Sequence, residues 1–185
     1  MSSAEKVVRS EKAVRLRAFA EAAVLIALAT ALSLFKIYRL PQGGSVTPAS
    51  MVPIMILAMR RGLKYGLAAG AVFGLIRLYL GPYVVHPVQL LLDYPLAFGA
   101  LGLAGIFKGR ERPLFAVAGA AVGIGGRFLC HWLSGIVFFA EYAPAGQHPA
   151  IYSAVYNGSY LGIEFVVSAV IMYLLARAGV LKMFL

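Results

Sequence analysis

Residues 131–160 read HWLSGIVFFAEYAPAGQHPAIYSAVYNGSY. An apolar run ends inside this stretch, a turn-rich segment from Glu141 to Ala150 carries no Lys or Arg, and a second apolar run begins. A loop free of basic residues between two apolar runs marks two membrane helices joined on the outer side. The same stretch gathers Trp, Tyr and Phe with a few uncharged polar groups. Flat, weakly polar surfaces around a small concave space suit a flat organic ligand. Aromatic rings also collect at membrane interfaces, so a pocket and an aromatic belt are both open readings of the composition.

Of the 185 residues, 61% are hydrophobic and 13% are charged. That balance excludes an ordinary water-soluble domain and gives an all-α integral membrane protein. The net charge of +10 does not point to nucleic acid, because Lys and Arg sit in short clusters between apolar runs. Cys130 is the single cysteine, so no internal disulfide forms and no metal or redox cluster is expected.

Six spans are expected, at about 18–37, 47–60, 62–80, 87–107, 113–140 and 151–176, between a basic leader (1–17) and a short tail (179–185). The second is short for a bilayer and is expected to be tilted, broken or re-entrant; Thr47 and Pro48 are expected to open it. Thirteen of the 17 Lys and Arg fall in the leader, in the two loops beginning near Arg60 and Lys108, and from Arg177 onward. This bias places both termini in the cytoplasm of a multi-pass protein of the cell membrane.

Three features carry chemistry. Asp93 lies about 9 Å into the fourth span, where a carboxylate costs about 2.5–3.5 kcal/mol near a span centre; Arg127 is the expected partner. Arg127 and His131 are one helical turn apart and share a face, as do Ser153, Asn157, Tyr160 and Glu164. Ala23, Ala27 and Ala31 form a small-residue stripe that serves either internal packing or a partner helix. Gly66, Gly70 and Gly74 repeat the spacing and are read as packing. Residues 36–48 are an outer loop, either a lid or a plain connector. No nucleotide-binding, metalloprotease or paired-cysteine motif is present, and no nucleophile and base pair stands out. A small-molecule binder remains, working alone or driven by another subunit.

The runs LPQGGSVTPASMVPIMILAMRRGLKYGLAAGAVFG (40–74), LLDYPLAFGALGLAGIF (91–107) and the opening stretch resemble the thiamine transporter family, the thiamine-specific S components of energy-coupling factor (ECF) vitamin transporters. The likeness covers roughly residues 18 to 178. It implies six helices, capture of thiamine from outside, and docking of the Ala23, Ala27, Ala31 stripe on a shared transmembrane coupling subunit that works with two ATPase subunits. The chain would then be no enzyme and carry no cofactor, with thiamine as cargo and ATP used by the partners. By motif, Asp93 and Tyr94 stand where the family usually has Glu-Tyr, His131, Tyr152 and Asn157 match binding positions, and Tyr83 matches a loop tyrosine. Phe139 stands where Trp is frequent. Thiamine pairs a thiazolium cation with an aminopyrimidine. Tyr83, Phe138, Phe139, Tyr142 and Tyr152 would face the cation, and Asp93, Asn157 and His131 would hydrogen-bond the second ring. Alternatives are an S component for riboflavin or a pyridoxine-like ring, an autonomous carrier, or an intramembrane enzyme.

Overall fold

The computed structural model describes residues 3–182, with side chains from residue 11 onward. Its elements are α1 (Ser3–Leu34), β1 (Tyr38–Arg39), β2 (Ser45–Val46), α2 (Val52–Arg61), α3 (Leu63–Leu80), α4 (Pro87–Phe107), α5 (Pro113–Phe138) and α6 (Pro149–Arg177). Among the described residues, five helices are long and apolar enough to cross a membrane: α1 from Glu11, and α3 to α6. Residues 1–2 of the expected leader and 183–185 of the expected tail lie outside the described residues. The described part of the leader continues α1 without a break.

The exception is α2, ten residues long and buried from Val52 to Met59. At 1.5 Å per residue it spans about half a bilayer core. The expected second span therefore begins later than Thr47, and Pro53 rather than Pro48 occupies its first turn. Residues 44–47 lead into it as buried non-helical backbone, which is tolerated at membrane depth where protein surrounds it. Ile54, Met55, Leu57 and Ala58 are wholly buried, so α2 is the centre around which the long helices stand. Gly62, with φ of 98°, turns the chain from α2 into α3, and its N–H closes on Ala58 O at 2.7 Å.

The glycine stripe of α3 packs as its spacing predicts. A Cβ on Gly70 would strike the Phe98 carbonyl, one on Gly74 the Tyr94 carbonyl, and one on Gly66 both Ala58 and Gly102. Backbone contact of this kind fixes α4 against α3. Within α4, Leu92–Leu96 is a π-helical turn carrying Pro95, and Ala100–Phe107 is tightened to 3₁₀. Pro95 has no N–H to give, and the Ala97 N–H reaches back to Leu92 O, so the helix is widened at Asp93 and Tyr94.

Proline opens α4, α5 and α6, and the His86 and His148 side chains cap α4 and α6 by accepting from Val88 N and Ala150 N. The fifth span stops at Phe138, short of residue 140, followed by a single 3₁₀ turn at Ala140–Tyr142. The two tiny strands pair antiparallel, Tyr38 with Val46 and Arg39 with Ser45. They make the 36–48 loop a hairpin at one end of the bundle, in a fold otherwise helical.

On α1, Ala18, Ala29 and Ser33 are buried with Ala22 and Ile26 half-buried, while Ala23, Ala27 and Ala31 are exposed. The stripe does not pack inside the bundle. Glu21 joins α1 to α2 through Arg60 (3.0 Å) and Arg61 (2.5 Å).

Candidate functional site

A cavity of about 290 Å³ opens at the hairpin end, near the lower limit of the roughly 300–1,000 Å³ of small-molecule sites. Asp93, Tyr94, Tyr83, His131, Phe139, Tyr152, Asn157 and Arg127 all line it. Residues from four sequence-distant segments therefore converge. Phe138 and Tyr142 do not line it: Phe138 stacks on His86, ring centroids 4.9 Å apart, and Tyr142 backs the Phe139 ring.

The widened turn of α4 aims Asp93 inward, and α5 brings His131 and Ser134 to it. Asp93 Oδ2 accepts from Gln89 Nε2 at 2.6 Å and Ser134 Oγ at 3.0 Å, and Oδ1 lies 2.9 Å from His131 Nδ1. His131 Nε2 accepts from Arg127 Nε at 3.3 Å. An arginine N–H can only donate, so Nε2 holds the lone pair and the neutral ring carries its proton on Nδ1, facing the carboxylate. A carboxylate offers about four lone-pair sites; three are taken, and one remains for a donor in the cavity.

The expected Arg127 to Asp93 pair is not formed. Arg127 pairs instead with Glu164 of α6 at 3.4 Å, donates to Met51 Sδ and lies over the Phe98 ring at 4.2 Å. His131 stands between Arg127 and Asp93 and occupies the carboxylate, while Glu164 reaches the guanidinium from the other side. Glu164 Oε1 also accepts from Thr47 N and Oγ1, both at 2.7 Å, so one buried acid joins α5, α6 and the hairpin loop. Thr47 and Ser50 serve this network rather than a helix start.

Asn157 is buried. Its Nδ2 donates to Ser153 O (3.0 Å) and lies 3.4 Å from His131 O, while Oδ1 accepts from Tyr160 OH. Gly135 admits this packing: a Cβ there would collide with Ser153 Oγ.

Three loops and their aromatic rings surround the opening. Tyr83 stacks on Phe139 (5.9 Å, 25°) and its hydroxyl sits 3.4 Å from that of Tyr142; that hydrogen bond, then burial, pushes the Tyr83 phenol up to about 12. Tyr94 OH accepts from Tyr83 N at 2.8 Å, and Gln89 holds Tyr83 O and Val85 N. Tyr152 stacks on Tyr156, whose hydroxyl accepts from Gly44 N and donates to Pro41 O. The 36–48 loop therefore covers the cavity, with Gln42 to Ser45 in its wall.

Sequence reasoning missed Gln89, Lys36, Arg77, Phe98 and Tyr156 as lining residues. Gln89 carried a usable signal, since it lies one helical turn before Asp93 and is polar in an apolar run.

The family described as thiamine transporter protein (Thia_YuaJ) matches residues 19–183. The "Thiamine transporter ThiT" of Bacillus subtilis (strain 168) is 38% identical over 169 residues, covering 84% of this chain and 88% of that protein. That of Lacticaseibacillus paracasei is 34% identical over 137 residues, 66% of this chain and 68% of the relative. A solved structure titled for ThiT from Listeria monocytogenes superposes with a TM-score of 0.80 at 27% identity, over 89% of this chain and 95% of that one. These relatives are named for transport and not for catalysis. With the family match spanning nearly the whole length, the chain belongs to the thiamine transporter protein family.

Proposed function

We propose that this chain is the thiamine-binding S component of an ECF-type transporter in the cell membrane. It captures thiamine from the outer face and delivers it inward with a shared transmembrane subunit and two ATPases. The carrying observation is the convergence of Asp93, Tyr94, Tyr83, His131, Phe139, Tyr152 and Asn157 on one cavity. The aminopyrimidine would give a hydrogen bond to the remaining lone pair of Asp93, with His131 and Asn157 fixing the walls around it. The thiazolium would sit against the Tyr83, Phe139 and Tyr152 rings, each contact worth about 0.5–2 kcal/mol when desolvated.

Transport in this reading uses no cofactor of the chain's own and no nucleic acid; ATP is consumed by the partner subunits. The two termini and the clusters around Arg60 and Lys108 would face the cytoplasm, with α2 counted as the sixth membrane helix. Exposure of Ala23, Ala27 and Ala31 supports their use as the docking stripe, because small side chains on an outer face allow a second helix close approach.

Titrating the purified protein with thiamine, riboflavin and pyridoxine tests the ligand. Saturable binding of thiamine alone is expected, and indifference to thiamine rejects the assignment. Uptake by vesicles holding this chain without ATPases would point to an autonomous carrier instead.

A further inference from the structure

Gln89 lies in the first turn of α4 and is 1% exposed. Both of its polar atoms are engaged. Nε2 donates to Asp93 Oδ2 at 2.6 Å and to Tyr83 O at 3.0 Å, and Oε1 accepts from Val85 N at 3.1 Å. A carboxylate and a carbonyl only accept, and a backbone N–H only donates, so three partners agree on one orientation of the amide.

These partners belong to two walls of the site. Asp93 is one helical turn further along α4. Tyr83 sits in the loop before α4, where its ring stacks on Phe139. Its backbone is gripped on both sides, since the Tyr83 N–H goes to Tyr94 OH at 2.8 Å while its carbonyl goes to Gln89. At Asp93, Gln89 and Ser134 both bond Oδ2, whereas Oδ1 meets only His131. With about two lone-pair sites on each oxygen, the free one lies on Oδ1. The Ser134 hydroxyl is a rotor, but the Gln89 amide is fixed by its other two bonds. Gln89 therefore holds Oδ2 back and leaves Oδ1 turned to the cavity.

Resting on the thiamine reading above, we propose that Gln89 is a positioning residue: one buried amide ties the acid that receives the aminopyrimidine to the loop that carries the Tyr83 ring. It acts through Asp93 and Tyr83. Ordering both walls before the ligand arrives lowers the entropy cost of binding. Without the amide the loop is freed and the carboxylate can rotate.

The test titrates the purified full chain with thiamine as wild type, Gln89→Met, Tyr83→Leu and the double variant. Methionine keeps the length of the side chain and removes all three bonds. Gln89→Met is expected to weaken thiamine binding about tenfold, about 1.4 kcal/mol. In the Tyr83→Leu background the same change is expected to cost at most about threefold, the part that runs through Asp93, because the ring it positions is already gone. Equal losses in the two backgrounds, or wild-type affinity in Gln89→Met, overturn the role, since a side chain that only supports the fold loses the same factor with or without the Tyr83 ring. If Gln89→Met does not fold, amide exchange in the ligand-free wild type decides. The Val85 N–H, bonded to the amide, must exchange more slowly than the Val84 N–H beside it, which has no acceptor among the described residues; equal rates overturn the proposal. Tight wild-type binding with additive losses removes only the role of Gln89. A wild type indifferent to thiamine rejects the thiamine reading and this role with it.

Discussion

His131 presents its Nδ1 proton to Asp93 across 2.9 Å because Arg127 occupies its other ring nitrogen. Asp93 is thereby held by three side chains from two helices, a pre-organised acceptor. Asp93→Ala should weaken thiamine binding by at least tenfold, about 1.4 kcal/mol, and so should Asn157→Ala, since each leaves the wall it shares with His131 unsupported. Calorimetric titration reads both; wild-type affinity in the two variants would remove these residues from the site.

The Arg127 and Glu164 pair predicts an effect on stability. Their side chains are 10% and 3% exposed, and removing one partner of a buried pair costs about 3–5 kcal/mol because the other charge is left alone. Arg127→Met and Glu164→Leu should each lower the thermal midpoint sharply, and the double variant should recover most of the loss. A double variant as unstable as the sum of the singles would show that the two side chains act independently.

Gly70 and Gly74 bring α3 onto the backbone of α4 at Phe98 and Tyr94. Gly70→Ala or Gly74→Ala should cost about 1–3 kcal/mol by overpacking and also weaken binding, because α4 carries Asp93 and Tyr94. Gly125 and Gly162 have open space where a Cβ would go, so alanine there should change neither quantity. Thermal melts paired with titrations check all four variants.

The Tyr83 and Tyr142 hydroxyls predict a pH window. The Tyr83 phenol is raised from 10.0 to about 12, chiefly by its hydrogen bond to Tyr142. A raised folded-state pKa gives a contribution fully present below the unfolded value near 10 and lost as pH climbs through about 12. The loop contact is therefore indifferent to pH across the physiological range and opens in strong alkali. Tyr142→Phe should bring the Tyr83 titration down toward 10, read by phenolate absorbance; an unshifted curve would mean that the hydroxyl pair is not formed in solution.

Much of this site was legible because helix periodicity assigns faces. Arg127 with His131, and Asn157 with Glu164, were grouped correctly by spacing alone. Periodicity does not say which group meets which across two helices, so Arg127 was matched to Asp93, although Glu164 sits nearer the guanidinium and His131 intervenes. That α2 is short for a bilayer followed from the short apolar run before Arg60, but its start and so its length did not, because Thr47 is consumed by a bond to Glu164 117 positions away. The π turn at Asp93 also escaped, though Pro95 within an apolar run announces a break in the hydrogen-bond ladder. Lys36 and Arg77 read as ordinary loop-side charges, since cavity walls are a property of the assembled bundle.

The exposed face of α1 sets the last expectation. Ala18, Ala22, Ala29 and Ser33 turn toward the bundle, whereas Ala23, Ala27 and Ala31 turn away from it. Ala27 lines no part of the cavity, so Ala27→Trp adds bulk where no residue of this chain needs the room. Thiamine affinity should stay at the wild-type value, while uptake by cells or vesicles supplied with the coupling subunit and ATPases should fall by at least tenfold, because the indole holds the second helix at a distance. Ile163→Trp, on an exposed position of α6, controls for bulk at the lipid face and should transport normally. Lost binding in Ala27→Trp would mean that α1 packs differently, and normal uptake would move the docking face elsewhere.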